Sequence, residues 1–150
     1  MAVKPVPESF HTVTPYLVAE DAVALIDFIK RGLGGQEKFV MHRPDGSIGH
    51  AEMIIGDSHV MIGQAGGPNK AFPAMLYLYV PDVDARYAQA VAAGATTLHE
   101  PSTQFYGDRH GAVVDSNGNQ WWIATHVEDV SPEELQRRAE AAQHQAVATT

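Results

Sequence analysis

The sequence of 150 residues contains no cysteine, so disulfide bonds, thiolate metal sites and cysteine nucleophiles are excluded. Basic side chains are also scarce, with 10 against 18 acidic ones, and the net charge of −8 offers no positive surface to phosphates. No apolar run approaches the roughly 18 to 20 residues that a membrane helix needs. We therefore expect neither nucleic acid nor a membrane as a partner, and we expect a cytoplasmic location.

The composition that is present is typical of a globular protein. Hydrophobic residues make up 45% of the chain and charged residues 19%. The length is that of one ordinary domain with a hydrophobic core, which we expect to span residues 1–150.

An internal repeat is the most informative pattern in the sequence. Residues 16–62 and 77–123 align at a constant offset of 61. The identities are few, but they fall at equivalent turns and element ends: Tyr16 with Tyr77, Asp21 with Asp82, Ala24 with Ala85, Gly46 with Gly107, Ala51 with Ala112, and Ile62 with Ile123.

Each copy predicts the element order β-α-β-β-β. Alternating apolar residues predict the strands, and Asn-Gly and Asp-Gly pairs supply turns. Asp21 and Asp82 are expected to be N-caps or acidic residues of the first helical turn. The predicted strands span residues 12–18, 38–43, 48–55 and 59–64, then 75–80, 96–100, 111–115 and 120–125. The sequence thus predicts an α+β fold with a first module at 11–64, a linker at 65–74, a second module at 75–126 and a C-terminal helix at 131–144.

Four segments resemble one known family. Residues 13–18, 49–53, 105–109 and 124–134 are similar to the PhnB-like branch of the vicinal oxygen chelate superfamily, which contains glyoxalases, bleomycin-resistance proteins and dioxygenases. The resemblance covers residues 12–126. It implies two βαβββ modules that form a glyoxalase-like half-barrel cleft, and a homodimer in most members.

The resemblance also implies where a metal would bind. Catalytic members hold one divalent ion on ligands from the first and last strands of each module. The matching positions are Thr14, the Ile62–Gly63 region, Met75 and Trp122, and none of them is a good ligand for a hard cation. We therefore expect no cofactor and no glyoxalase I type metal site. The alternative is a divalent metal ion at an unusual site that uses His50 and Glu52, which share one face of a strand.

Aromatic side chains are the best candidates for ligand binding. Alternation places Tyr16, Tyr77, Tyr79 and Trp122 on the cleft side, where they suit an aromatic or amphipathic small molecule, although a packed core explains them about equally well. His50, Glu52, Tyr106 and Arg109 are the polar candidates, with surface ion pairs as the competing interpretation. His59, His99 and His110 are interpreted as solvated.

Three functions are consistent with these patterns. The first is non-covalent binding of a small molecule in the inter-sheet cleft. The second is a metal-dependent lyase, isomerase or dioxygenase of the same superfamily, and the third is a structural dimer with a filled cleft. No catalytic residue is assigned, and the sequence does not name the ligand.

Overall fold

The computed structural model describes residues 2–148 and contains two modules with the same element order, followed by a helix. The first module consists of β1 (Tyr16–Ala19), α1 (Ala22–Leu33), β2 (Gln36–His42), β3 (Ile48–Ile55) and β4 (Ser58–Gln64). The second consists of β5 (Met75–Tyr79), α2 (Val83–Ala92), β6 (Thr96–Thr103), β7 (Asp108–Val114) and β8 (Gln120–His126). Helix α3 (Pro132–Ala148) follows.

Each module forms its own four-stranded mixed sheet. The strand orders are β1-β4-β3-β2 and β5-β8-β7-β6. The first strand of each module pairs parallel to the last, and the other pairs are antiparallel. The predicted α+β fold of two βαβββ modules with a C-terminal helix is confirmed.

Several predicted boundaries were wrong by a few residues. Strand β1 begins at Tyr16 rather than at residue 12, because Pro15 has no N–H to pair, although its carbonyl accepts from Met61 N–H at 2.9 Å. Strand β6 continues past Pro101 to Thr103, and β7 begins at Asp108 rather than at residue 111. Helix α3 also extends beyond its predicted end, to Ala148.

The repeat is real, but its offset is not constant. Leu17 pairs with Ile62 and Leu78 with Ile123, which keeps the offset of 61 for the first and last strands. In β3 and β7 the offset is 60, because the turn between β7 and β8 is longer than the turn between β3 and β4. Ala51 pairs with Ile62, whereas the residue opposite Ile123 is Gly111 rather than Ala112. The match of Ala51 with Ala112 was therefore wrong by one residue.

The helices begin where the sequence predicts. The side chain of Asp21 accepts from the N–H of Ala24 at 3.0 Å, and Asp82 accepts from the N–H of Ala85 at 3.1 Å. Helix α1 ends at Leu33 and is capped by Gly34, which adopts a left-handed conformation with φ 67°.

A single core joins the two modules. Helices α1 and α2 pack against each other, and the ring of Phe28 on α1 lies 6.3 Å from that of Trp121 on β8. The sheet faces toward the helices carry fully buried side chains such as Met53 and Ile123. Within residues 2–148 no helix packs on the opposite side of either sheet, here called its open face. None of the helices in residues 2–148 is long and apolar enough to cross a membrane.

Candidate functional site

Seven polar or aromatic side chains meet on the open face of the second sheet. Alternation along three strands brings them to one side, because residues two apart share a face. This second-sheet cluster consists of Tyr77 and Tyr79 from β5, Asp108 and His110 from β7, Trp122 and His126 from β8, and Tyr106 from the loop before β7.

Asp108 is the centre of the cluster and is only 5% exposed. Its Oδ2 accepts hydrogen bonds from the hydroxyls of Tyr77 at 3.0 Å and Tyr79 at 2.9 Å, and its Oδ1 lies 3.0 Å from Nδ1 of His126. Burial raises the pKa of this carboxyl, but the hydrogen bonds from His126, Tyr79 and Tyr77 outweigh it, so the net pKa is lowered. Asp108 is therefore ionised at neutral pH.

The charge of Asp108 helps to raise the pKa values of the two phenols and of His126. Burial and then the hydrogen bond to Asp108 raise the pKa of Tyr77, and the same hydrogen bond is the main reason that the pKa of Tyr79 is raised. Hydrogen bonds to Asp108 and then Asp129 raise the pKa of His126. Both phenols thus stay protonated and donate to the carboxylate.

His110 is also buried, at 6% exposure, so its interpretation as a solvated residue was wrong. Its Nδ1 lies 3.1 Å from the hydroxyl of Tyr77 and 3.1 Å from that of Tyr106. Burial and then the nearby ring of His99 lower the pKa of His110, only partly opposed by Asp108. The imidazole is therefore neutral at pH 7, with the edge of Trp122 packed at 5.2 Å.

The open face of the first sheet carries a smaller group. The hydroxyl of Tyr16 lies 3.3 Å from Nδ1 of His50, and the ring of Phe39 packs 5.8 Å from the same imidazole. His50 and Glu52 share this face, as the alternation predicted, and His50 Nε2 lies 3.8 Å from Glu52 Oε1. The ammonium of Lys38 is the second partner of Glu52, at 3.6 Å.

The two modules repeat one element of this chemistry. A tyrosine on the first strand contacts a histidine on the third strand at equivalent positions of both modules: Tyr16 with His50, and Tyr77 with His110. The modules differ two residues before that histidine, where the first has the apolar Ile48 and the second has Asp108. In the second module the carboxylate therefore accepts from the tyrosine of the pair, whereas in the first module the carboxylate of Glu52 lies near the histidine.

The N-terminal segment covers part of the first open face. The ring of Phe10 stacks on His59 at 3.8 Å, and the ammonium of Lys38 lies 4.7 Å from the centroid of Phe10. A cavity of about 470 Å³ lies between this segment and the sheet, with Glu52 and Met61 in its lining. His59 is 4% exposed, so its interpretation as solvated was also wrong.

A groove of about 1120 Å³ runs between strands β1 and β5, and Tyr16, Tyr77 and Tyr79 line it together. Trp122 is not part of its lining and packs instead beside His99 and His110. The three tyrosines thus border this groove together with helix-side residues such as Leu78 and Trp121, and a role of these rings in ligand binding stays a prediction.

Arg109 does not join the second-sheet cluster. It lies between Asp108 and His110 on β7, so alternation turns it to the helix side. There its guanidinium donates to both carboxylate oxygens of Asp84 on α2, at 2.9 and 2.8 Å. The sequence analysis missed Asp108, His110 and His126. The spacing of Asp108 and His110, two apart like Tyr77 and Tyr79, was the available signal.

The residues do not fit the metal that catalytic relatives hold. On the first and last strands, Tyr16 lies opposite Met61 and Tyr77 lies opposite Trp122. Phenol, thioether and indole are poor donors for hard divalent cations. Within residues 2–148, no three histidine, aspartate or glutamate side chains are grouped so that they could hold a metal ion.

Comparisons with known proteins agree with the fold. A model of the Glyoxalase/Bleomycin resistance protein/Dioxygenase superfamily matches residues 9–123. An uncharacterized protein of Mycobacterium bovis is 33% identical over 134 residues, which cover 82% of this chain and 88% of that protein. An uncharacterized protein of Mycobacterium tuberculosis has the same identity, with 79% of its length covered.

Solved structures show the same architecture. TioX from Micromonospora sp. ML1 matches with a TM-score of 0.68 at 24% identity, over 78% of this chain and 99% of that one. A glyoxalase/bleomycin resistance protein/dioxygenase family enzyme from Burkholderia phytofirmans PsJN matches with a TM-score of 0.61 at 20% identity, over 76% and 97% of the two chains. The chain belongs to the glyoxalase/bleomycin resistance protein/dioxygenase superfamily.

Proposed function

We propose that this protein binds a small organic molecule, with an aromatic ring and a hydrogen-bonding group, on the open face of its second sheet and without the usual superfamily metal. The observation that carries the proposal is the buried, ionised Asp108 surrounded by aromatic side chains on a face that no helix covers. Burying a carboxylate costs free energy that apolar residues would not cost, so a purely structural face has no need of one.

The aromatic rings supply the contact surface in this proposal. Tyr77 is 39% exposed and Tyr79 is 65% exposed, so both rings are available to a ligand. Rigid aromatic side chains offer large flat surface at little cost in conformational entropy, and their hydroxyls offer polar contacts. Trp122, beside His110, is the candidate stacking partner.

A second copy of the chain is part of the proposal. Phe39, Met41 and Met75 on the two open faces are 43%, 55% and 63% exposed, and a partner that covers them removes this apolar surface from water. We also propose that the chain belongs to the PhnB-like branch of the superfamily, and that resemblance implies a homodimer. Sedimentation equilibrium should give twice the mass of one chain, and a monomer at micromolar concentration would contradict this part. The cytoplasmic location stays a prediction from composition.

The metal-dependent alternative has less support. His50 and Glu52 lie on one face, but Lys38 pairs with Glu52, and a third ligand is missing from the described residues around them. A cation at Glu52 would have to displace or repel that ammonium. Binding without a metal is therefore the better-supported function.

A thermal-shift screen of aromatic carbonyl and heterocyclic compounds tests the proposal. A ligand present at one hundred times its Kd should stabilise the protein by about 2.7 kcal/mol. Trp122→Ala should weaken this shift, whereas Tyr87→Phe, which alters a hydroxyl bonded to Thr97 away from the cluster, should retain it. A screen without any shift, or a shift that Trp122→Ala leaves unchanged, would overturn the proposal.

A further inference from the structure

We propose that His110 is a general base, held by its neighbours as the neutral tautomer with the proton on Nδ1 and a free lone pair on Nε2. The group that would give up the proton is a carbon acid, such as the carbon next to a carbonyl, bound on the open face. This inference rests on the proposed function and adds a reaction to it.

The direction of the hydrogen bonds follows from Asp108. Its ionised carboxylate can only accept hydrogen bonds, so the hydroxyl of Tyr77 must donate its single proton to Oδ2, which lies 3.0 Å away. The oxygen of Tyr77 is then an acceptor toward His110, whose Nδ1 lies 3.1 Å away and must donate. The chain Asp108–Tyr77–His110 therefore fixes the tautomer, as a carboxylate does when it contacts a catalytic histidine directly.

The other nitrogen of His110 is free. Nε2 has no hydrogen-bond partner in residues 2–148, and it is not among the side-chain nitrogens that are sealed from solvent. A ligand lying on the edge of Trp122 can therefore approach it. The titratable groups that face the imidazole are His99 from β6, Tyr77 from β5, Asp108 on its own strand, and Tyr106.

Tyr106 supplies the complementary acid. Its oxygen lies 3.1 Å from Nδ1 of His110 and serves as a second acceptor for that N–H. The Tyr106 hydroxyl also hydrogen-bonds with Tyr77, and the oxygen of a ligand would take the place of that bond. Burial raises the pKa of Tyr106, which keeps the hydroxyl protonated at neutral pH. The site thus presents a base and a hydrogen-bond donor within a few ångströms of each other.

The reaction step is balanced without a metal or an oxidant. Nε2 takes the proton from the carbon, the C–H electron pair forms a carbon–carbon double bond, and the carbonyl π electrons move to oxygen. The hydroxyl of Tyr106 donates a hydrogen bond to that oxygen. Return of the proton to the same carbon completes a racemisation. Where a second double bond conjugates with the enolate, return of the proton to the γ carbon completes an isomerisation.

The first module shows why the carboxylate matters. Its tyrosine–histidine pair has Ile48 where the second module has Asp108, and the carboxylate that it does have, Glu52, lies 3.8 Å from Nε2 of His50. The same strand pairing thus places a carboxylate beside the tyrosine in the second module and beside the far nitrogen of the histidine in the first.

Nitrogen-15 NMR of the wild-type protein tests the tautomer, with His110→Gln used only to assign the resonance. We expect His110 to be neutral at pH 7, protonated on Nδ1, with a titration midpoint below 6.5. A proton on Nε2, or a midpoint at or above 6.5, would overturn the inference. This measurement needs no ligand, and His110→Gln is the one variant that it needs, for the assignment.

Elimination of 5-nitrobenzisoxazole tests the base itself. Removal of the C3 proton breaks the N–O bond and releases a coloured nitrile phenolate, so no co-reactant is needed. General bases contribute about 10²- to 10⁴-fold, so His110→Gln should lower the rate by at least tenfold. His144→Gln, on the exposed surface of α3, should not lower it.

These experiments distinguish a failure of ligand binding from a failure of the proton abstraction by His110. Thermal shift reports whether the benzisoxazole binds, and Trp122→Ala reports where. Binding without elimination that depends on His110 overturns the general base and leaves the proposed function standing. No binding by this probe or by any compound of the screen overturns both.

Discussion

Adjacent tryptophans on β8 allow a sharp test of which sheet face is core. Trp121 is fully buried against Phe28, and its indole N–H donates to Asp115 Oδ2 at 2.8 Å. Trp122 lies half-buried on the open face, and its indole N–H donates to Oε1 of Gln120 at 3.1 Å. The same substitution at the two positions should therefore have very different effects.

The magnitudes follow from what each ring loses. Trp121→Phe gives up about 50 Å² of buried ring, about 1.2 kcal/mol at 25 cal/mol/Å², plus a cavity penalty. It also leaves Asp115 without one charged hydrogen bond, which adds about 1 to 2 kcal/mol. The total is about 2 to 4 kcal/mol, whereas Trp122→Phe should cost less than about 1 kcal/mol.

Urea denaturation followed by circular dichroism measures both losses of free energy. In thermal denaturation, Tm should fall by about 5 to 15 °C for Trp121→Phe. Trp122→Phe serves as the matched control, since it is the same chemical change one residue away. Equal destabilisation by the two variants, or a larger loss at Trp122, would refute the assignment of helix side and open face.

Two further substitutions test the network around Asp108 and the turn before it. Asp108→Asn removes the charge that accepts hydrogen bonds from two tyrosines and His126. We expect the free energy of unfolding, measured by urea denaturation, to fall by about 2 to 3 kcal/mol, and the pKa of His126, measured by NMR titration, to fall as well. An unchanged pKa would show that the carboxylate does not control that imidazole. Gly107→Ala should cost about 2 to 3 kcal/mol, because φ is +98° and a Cβ would overlap the backbone carbonyl of Glu128. Gly46→Ala, at φ +86° with open space around it, should cost only about 1 kcal/mol, and equal Tm losses would contradict this account.

Much of the fold could be predicted because it depends on local patterns. The bounds of β3 were predicted as observed, and both N-cap aspartates were identified, since capping and alternation are set by neighbouring residues. Tyr77, Tyr79 and Trp122 share one face of their sheet for the same reason. The repeat offset failed in β7, because a longer turn shifts the register without leaving a clear mark in the composition.

The site was harder to predict, because it consists of contacts across strands. His110 resembles a solvated residue when it is considered alone, and Arg109 resembles a ligand-binding residue. Both interpretations depended on which face β7 turns to the helices, and the bonds of Arg109 to Asp84 come from a helix 25 residues earlier in the chain.

The sequence by itself determined the two βαβββ modules, their helix starts and the alternation of each strand, because these depend on residues a few positions apart. Only the tertiary structure decided that Asp108 is buried beneath two phenols and that its charge orients the bond between Tyr77 and His110. Burial and hydrogen-bond direction depend on residues from β5, β7 and β8, and their pairing register fixes which side chains meet.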